Sequence, residues 1–266
     1  MSDLKGRLAL ITGGGTGLGR SMALGLAKMG ADLVLNYSRS AADAEATAAE
    51  CRALGVKATT VQGDVSTVEG CAALAAAVEG PLHILINNAG ITRHAKDHSD
   101  LDALTKDDFM DTYAVNVVGP YLALQALKPA LVKAYEETGR ASAVLNTSSI
   151  AGVVGIGSSV AYAASKGALN TMTLSLARAL GPAMRVNAVC PGFIGTRWFK
   201  DAMDEAEFAD IVARVEKSTP LNAASGPDDV ADAALFFVTD AARHVTGEMM
   251  MVDAGTHLGF SALAQR

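Results

Sequence analysis

Short runs of β-forming residues alternate with runs of helical periodicity along the whole 266-residue chain, and this alternation restricts its fold more than any other feature. Strand-like segments are read at Arg7–Thr12, Asp32–Tyr37, Lys57–Gln62, Leu82–Ile86, Ala143–Thr147, Met184–Cys190 and Glu248–Val252. Helices are predicted at Gly17–Met29, where Leu18, Met22, Leu26 and Met29 recur on one face, and at Ala41–Leu54, Thr67–Val78, Tyr162–Leu180 and Pro227–Thr239. Lys106–Lys133 reads as one long helix or two abutting ones. A strand that returns to its sheet in the same direction needs a helical crossover, and right-handed crossovers cover both faces. The expectation is an α/β fold: a doubly wound parallel sheet with helices on both faces, forming a single domain over 1–266. Ligands on such sheets bind beyond the carboxyl ends of the strands, where the strand order reverses. From Pro191 to about Gly226 no clear strand is read, and the interval carries Trp198, Phe199 and Phe208. A substrate-covering segment is expected near 193–226; an ordinary pair of surface helices is the plainer alternative.

Half the residues are hydrophobic and 19% are charged, which suits a large core. The net charge of −6, with basic residues scattered rather than clustered, argues against a nucleic-acid partner. The polar start Met1-Ser2-Asp3-Leu4-Lys5 does not read as a signal peptide, and no apolar run is read as long enough for a membrane span. Cys51, Cys71 and Cys190 lack metal-site or CxxC spacing, so reduced thiols and a cytoplasmic location are expected.

The first strand runs into Thr12-Gly13-Gly14-Gly15-Thr16-Gly17-Leu18-Gly19, and a helix follows. Glycine permits a tight turn and lets an anion approach the backbone, while free N–H groups of the helix N-terminus face it. The G-x-x-x-G-x-G spacing departs from the G-x-G-x-x-G dinucleotide fingerprint, but its strand–turn–helix setting points to phosphate binding. The second strand ends Asn36-Tyr37-Ser38-Arg39-Ser40. No acid stands there to hold a ribose 2′-hydroxyl, whereas Ser38 and Arg39 suit a 2′-phosphate, so NADP(H) is favoured and NAD(H) remains possible.

Tyr162 and Lys166 are one helical turn apart and share a face. A neighbouring ammonium is expected to lower the phenol pKa toward the range useful for proton transfer. Thirteen residues before Tyr162 a strand ends at Ser148-Ser149, and the segment Gly152–Gly157 can fold back to bring Ser149 beside the phenol. Asn87-Asn88-Ala89-Gly90 forms a polar, tight strand end, and Asn116 lies between Val115 and Val117 as either a satisfied core amide or a functional one. His94 and His98 read as solvated loop residues, and no metal ligand is assigned.

Taken together, the Thr12–Gly19 turn, Asp64-Val65, Asn87–Gly90, Asn116, Ser149, Tyr162/Lys166, Pro191-Gly192 with Thr196, and Thr246-Gly247 with Val252-Asp253 resemble the short-chain dehydrogenase/reductase family over almost the whole chain. The resemblance implies a Rossmann-type sheet of about seven strands. It also implies transfer of a hydride between NAD(P)(H) and a ketone or secondary alcohol, as in 3-oxoacyl-carrier-protein reductases, sugar or polyol dehydrogenases and general ketoreductases. Tyr162 would be the general acid or base, and Lys166 would lower its pKa and bind the nicotinamide ribose. Ser149 would hold the substrate oxygen, and Asn116 would anchor a water in a proton path. Gly13, Gly17 and Gly19 would border the pyrophosphate; Asp64 and Val65 the adenine; Asn88 the adenosine side; Ile194 and Thr196 the carboxamide. Gly15, Thr16, Leu18, Ala89, Gly90, Pro191 and Gly192 would complete the cofactor contacts.

Thr16 stands where many NADP-using relatives carry a basic residue, and Thr92–Thr105 is longer than in acyl-carrier-protein reductases. Enoyl reductases of the family usually separate tyrosine and lysine by six residues, so the spacing here favours carbonyl chemistry over C=C reduction. A catalytically inactive nucleotide-sensing scaffold would typically lack Tyr162 or Lys166. The resemblance further implies a homotetramer paired through the Lys106–Lys133 and Tyr162–Leu180 helices. Trp198 and Phe199 suggest an apolar substrate wall and equally suit packing of the covering segment itself.

Overall fold

Seven parallel strands form one sheet in the order β3-β2-β1-β4-β5-β6-β7 in the computed structural model, which describes residues 3–95, 97–196 and 204–259. The strands are β1 Leu8–Ile11, β2 Asp32–Tyr37, β3 Ala58–Gln62, β4 Ile84–Asn87, β5 Ser142–Thr147, β6 Met184–Pro191 and β7 Met249–Val252. The order reverses between β1 and β4, so the strand ends diverge there and leave a crevice. This is a doubly wound Rossmann-type fold.

Helices α1 Gly17–Lys28, α2 Ala41–Ala53, α3 Val68–Ala76, α4 Lys106–Tyr113, α5 Gly119–Thr138, α6 Ala151–Val154, α7 Val160–Leu180, α8 Glu205–Ser218 and α9 Pro227–Phe236 flank the sheet. The apolar core divides accordingly. One half joins Met22 and Leu26 of α1 to Val230 and Leu235 of α9 and to Phe237 beyond it; the other joins Leu74 of α3 to Leu124, Leu127 and Leu131 of α5. Small residues set these distances. A Cβ on Gly25 would stand 2.3 Å from Leu235 Cδ1, so α1 and α9 meet closely because that position is glycine.

The long helical stretch takes the second of its two readings: α4 and α5 abut through a π-helical turn, Ala114–Val118, with Asn116 at its centre. Pro120 has no N–H to offer the Asn116 carbonyl four residues back, which removes an α-helical bond at that point. Taken whole, Lys106–Thr138 is also long and apolar enough to cross a membrane by length and composition, contrary to the reading of the sequence alone. Its apolarity has a local use, because Ala123, Leu124, Leu127 and Leu131 are buried in the core. Of the two remaining helices, α6 was not read from the sequence, and α8 falls where surface helices were the plainer alternative. Short α6 lies in the fold-back after Ser149, and α8 in the segment after β6 opens with an Asp204/Glu207 capping box.

Candidate active site

The carboxyl ends of β1, β2, β4, β5 and β6 open into one cleft of about 1060 Å³. At its centre β1 turns into α1. Gly13 and Gly17 have φ of +62° and +52°, a left-handed region that side chains adopt at a cost. Thr16 caps α1 without a side-chain hydrogen bond, and no acid lies in the first turn. Gly13, Gly15, Thr16, Gly17 and Leu18 line the cleft, so the helix N-terminus is presented to an anion. Gly19 lies behind that wall. A Cβ there would stand 2.2 Å from the Gly13 carbonyl oxygen and 2.7 Å from Asn88 Nδ2, so its role is to let α1 sit against the turn.

Asn88 fixes the same turn from the β4 side. Its Nδ2 donates to the carbonyls of Thr12 and Gly13, each at 3.1 Å. Thr12, which sequence reasoning left without a role, answers with its hydroxyl: Oγ1 accepts from the N–H groups of Asn88 at 2.9 Å and Ala89 at 3.0 Å. Its signal was a hydroxyl residue at the end of a buried strand. Ala89 and Gly90 continue the lining.

Ser38 and Arg39 are exposed at the rim beyond β2 and line the cleft. Across from them Asp64 accepts from Ser66 N at 2.9 Å and Ser66 Oγ at 2.7 Å. Those bonds, helped by the Arg39 charge, hold its carboxyl below the usual range. Val65 lines the wall beside it. On the opposite side Pro191, Gly192, Ile194 and Thr196 line the cleft. Ile194 pairs with Ser225, and the rings of Phe193 and Phe208 lie 6.4 Å apart, so the chain after β6 folds back over the opening. Val215 and Ser218 of α8 also face the cleft, whereas Trp198 and Phe199 lie outside the described residues.

Tyr162, Lys166, Ser149 and Asn116 converge from three elements. Lys166 Nζ sits 5.6 Å from the centre of the Tyr162 ring and donates to the Thr147 carbonyl at 2.8 Å. Ser149 Oγ accepts from Ala151 N at 3.1 Å, and its hydroxyl is hydrogen-bonded to the phenol. Asn116 does not line the cleft. Its amide clamps Ile91, accepting from Ile91 N and donating to Ile91 O, both at 2.9 Å, and donates to Ser165 Oγ at 3.1 Å. Ser165 Oγ in turn donates to the Tyr162 carbonyl at 2.7 Å. The Asn116 amide is thus a fully used structural group.

The electrostatics differ from the simplest reading of a tyrosine–lysine pair. Burial pushes the Tyr162 phenol above its ordinary pKa, and the Ser149 hydrogen bond is what pulls it down. Burial also depresses Lys166 to about 8. In this protein alone, desolvation of both groups outweighs the ammonium's stabilisation of phenolate. The residues fit a dinucleotide. Glycines give backbone access at an unshielded helix N-terminus, and Gly90 keeps open a place where a Cβ would come 3.7 Å from Lys166 Nζ. The buried Thr147 hydroxyl, at the cleft wall, has no hydrogen-bond partner among the described residues.

Known proteins agree with this geometry. A family profile described as enoyl-(acyl carrier protein) reductase matches residues 13–257. A Streptomyces violaceoruber protein named as the second ketoacyl reductase of the granaticin polyketide synthase is 41% identical over 94% of this chain and 96% of its own. An L-rhamnose 1-dehydrogenase (NAD(P)(+)) of a Sphingomonas species is 34% identical over 97% of this chain and 99% of its own. The structure of a short-chain type dehydrogenase/reductase from Mycobacterium ulcerans superposes with a TM-score of 0.84 at 27% identity, covering 97% of this chain and 92% of that one. A crevice at the sheet's reversal point, a glycine turn at its floor and a hydrogen-bonded serine–tyrosine pair beside a buried lysine, matched from end to end by these relatives, place the chain in the short-chain dehydrogenase/reductase family of NAD(P)-dependent oxidoreductases.

Proposed function

We propose that this chain is a single-domain ketoreductase or alcohol dehydrogenase that interconverts a small carbonyl compound and its secondary alcohol. The observation that carries the reading is the hydrogen bond between Ser149 and the Tyr162 phenol at the wall of the dinucleotide-sized cleft. In reduction, the substrate oxygen is held between these two hydroxyls. Ser149 donates as negative charge gathers on that oxygen, and Tyr162 delivers its proton there. In oxidation Tyr162 takes the alcohol proton. Gly13, Gly15, Thr16, Gly17 and Leu18 hold the pyrophosphate, with Gly19 acting from behind; Asp64, Val65, Asn88, Ala89 and Gly90 hold the adenosine side. Lys166 holds the ribose, and Pro191, Gly192, Ile194 and Thr196 hold the carboxamide. When bound, the dinucleotide supplies or accepts the hydride and, oxidised, adds a positive ring that favours phenolate. Lys166 and the water at the Asn116 carbonyl reload the phenol from solvent. Tyr162→Phe is expected to lower kcat by at least about a thousandfold, within the range of general acid–base catalysis, while leaving dinucleotide affinity within a factor of two. Substantial turnover by that variant would overturn the reading.

NADP(H) is the favoured coenzyme, supported by Arg39 and Ser38 at the rim and the absence of an acid after β2. The protein works in the cytoplasm, in keeping with three buried free thiols. It assembles as a homotetramer, to which exposed Val118 and Tyr121 on α5 and Leu174 on α7 give apolar contact surface. Light scattering that finds a monomer removes this last assignment. C=C reduction, which the family profile's description names, is separated by offering crotonyl and acetoacetyl thioesters with NADPH. Consumption of the acetoacetyl thioester alone is expected.

A further inference from the structure

Asn170 lies on α7 one turn beyond Lys166 and two beyond Tyr162, so the three share a face. It is 6% exposed, too deep to meet a substrate, yet its amide reaches three separate segments of the site. Its Oδ1 accepts from Ser148 Oγ at 2.6 Å and from the Cys190 thiol at 3.8 Å. Its Nδ2 donates to the Gly152 carbonyl at 3.2 Å. Each partner adjoins something Ser149 depends on. Ser148 is its chain neighbour. Cys190 precedes Pro191, whose carbonyl lies 3.5 Å from Ser149 Oγ. Gly152 follows Ala151, whose N–H is held by Ser149 Oγ. A Cβ at Gly152 would stand 2.4 Å from the Lys166 carbonyl carbon, so α6 rests directly on α7 just where the amide ties them.

We propose that Asn170 is a positioning residue of the site, a side chain that fixes the ends of β5 and β6 and the start of α6 together to the helix carrying Tyr162 and Lys166. The reason for an amide follows from the donor and acceptor count. The Cys190 thiol and the Ser148 hydroxyl, whose other acceptor is the Lys166 carbonyl at a longer 3.3 Å, share one oxygen, and the half-buried Gly152 carbonyl takes an N–H; losing these partners in so little water is costly. An apolar residue would satisfy none of them. The Ser149 hydroxyl can turn its proton to Pro191 or to the phenol, and the Asn170 amide holds the frame in which the phenol is within reach. The consequence is electrostatic as well as geometric, because the Ser149 bond is what lowers the phenol's pKa against burial.

The inference rests on Tyr162 and Ser149 being the reacting pair, and the test keeps the two apart. Steady-state rates of alcohol oxidation are measured across pH for the wild type, Asn170→Ala, Asn170→Asp and Ser148→Ala, with Tyr162→Phe alongside and dinucleotide affinity measured by calorimetry. Asn170→Ala is expected to lower kcat about tenfold, the effect of one hydrogen bond's worth of misplacement. The rising limb of its pH profile should move to higher pH, with dinucleotide affinity within twofold. Asn170→Asp keeps the oxygen shared by Ser148 and Cys190 but loses the donor to Gly152, and should recover part of the rate. Ser148→Ala removes one arm and should shift the profile the same way by less; it carries the test if Asn170→Ala does not fold. A folded Asn170→Ala with the wild-type profile, an Asn170→Asp no better than alanine, or an unshifted Ser148→Ala in the absence of folded Asn170→Ala overturns the proposal. Retained turnover in Tyr162→Phe overturns instead the assignment beneath it.

Discussion

Gly19→Ala tests how the phosphate end of the cleft is built, because Gly19 touches no part of the cleft surface. An added Cβ would stand 2.2 Å from the Gly13 carbonyl oxygen, 3.1 Å from its carbon and 2.7 Å from Asn88 Nδ2, where contacts below 3.0 Å are essentially not seen. Two of those three atoms are backbone, so no side-chain rotation relieves the overlap. The α1 N-terminus must move away from the β1 turn by up to an ångström, and the Asn88 clamp on Thr12 and Gly13 must loosen with it. The expected destabilisation is about 3 kcal/mol, the upper part of the usual overpacking range. For a domain of this size that lowers Tm by roughly 6–12 °C. Losing one aligned backbone donor to a charged phosphate group weakens dinucleotide binding by about ten- to a hundredfold. Thermal melts with and without NADPH, together with calorimetric titration, read both effects. Gly55→Ala is the control: its φ of +93° carries a left-handed strain that helical Gly19 does not, but nothing lies within 4 Å of a Cβ there. It should lose about 1–2 kcal/mol and bind dinucleotide normally. Wild-type affinity in a destabilised Gly19→Ala would refute the claim that packing behind the turn sets the geometry of its donors.

The other expectations concern charge and access. Arg39→Ala should raise the KM for NADPH by about ten- to a hundredfold, the loss of a charge-assisted phosphate contact, and leave NADH kinetics unchanged; equal effects on both coenzymes would remove the NADP preference. Lys166→Met should abolish turnover yet stabilise the fold at pH 7 by the order of 1–3 kcal/mol, because the folded lysine's pKa is depressed to about 8 against the ordinary 10.5. Below pH 8 both states of the wild type carry the proton and the burial cost is constant. Between about 8 and 10.5 the unfolded chain binds more protons, so wild-type stability rises with pH and the gap to Lys166→Met should close; a constant gap over that window would mean the lysine is not desolvated. Cys51, Cys71 and Cys190 are all buried, and burial pushes the first two thiols up to about 11. A thiol reagent should therefore label none in the native protein and three after denaturation.

The sheet and its crossovers were legible because buried parallel strands and amphipathic helices write different periods into a sequence. Every strand read from that pattern is present within two residues of its structural ends. Two elements were harder to place. Helix α6 has only four residues, too few for any period to repeat, and it is held by Gly155 in a left-handed cap and by the Asn170 amide rather than by its own sequence. Helix α8 was legible in principle: Phe208, Ile211, Val212 and Val215 recur at helical spacing behind an Asp204/Glu207 capping box, but the stripe is only partly covered in the fold, and the interval was read first as a substrate-covering segment. The apolarity of Lys106–Thr138 reflects burial between α3 and the sheet, and composition alone cannot separate that from a lipid-facing helix.

The site divides along the same line. Tyr162 and Lys166 could be paired from the sequence because one helix fixes their spacing, and Ser149 could be brought to them because the glycines between allow the chain to return. What could not be read was the sign of the local electrostatics. A tyrosine and a lysine one turn apart suggest mutual stabilisation of the charged forms, but that inference assumes water around them. With both buried, desolvation moves each toward its neutral form, and the one interaction that lowers the phenol comes from a serine thirteen residues upstream. Asn116 teaches the complementary point. Its side chain was the obvious candidate, yet the amide is spent on Ile91 and Ser165, and what sets this position apart is a proline four residues on that has no N–H to offer its carbonyl. The sequence did contain that signal, as Asn116 and Pro120 at the spacing of one helical hydrogen bond. If the Asn116 carbonyl holds the proposed water, replacing Pro120 by alanine should offer it an N–H, compete with that water and slow proton reloading. A solvent isotope effect on kcat larger in Pro120→Ala than in the wild type would be its mark, and an unchanged isotope effect would take the Asn116 carbonyl out of the proton path.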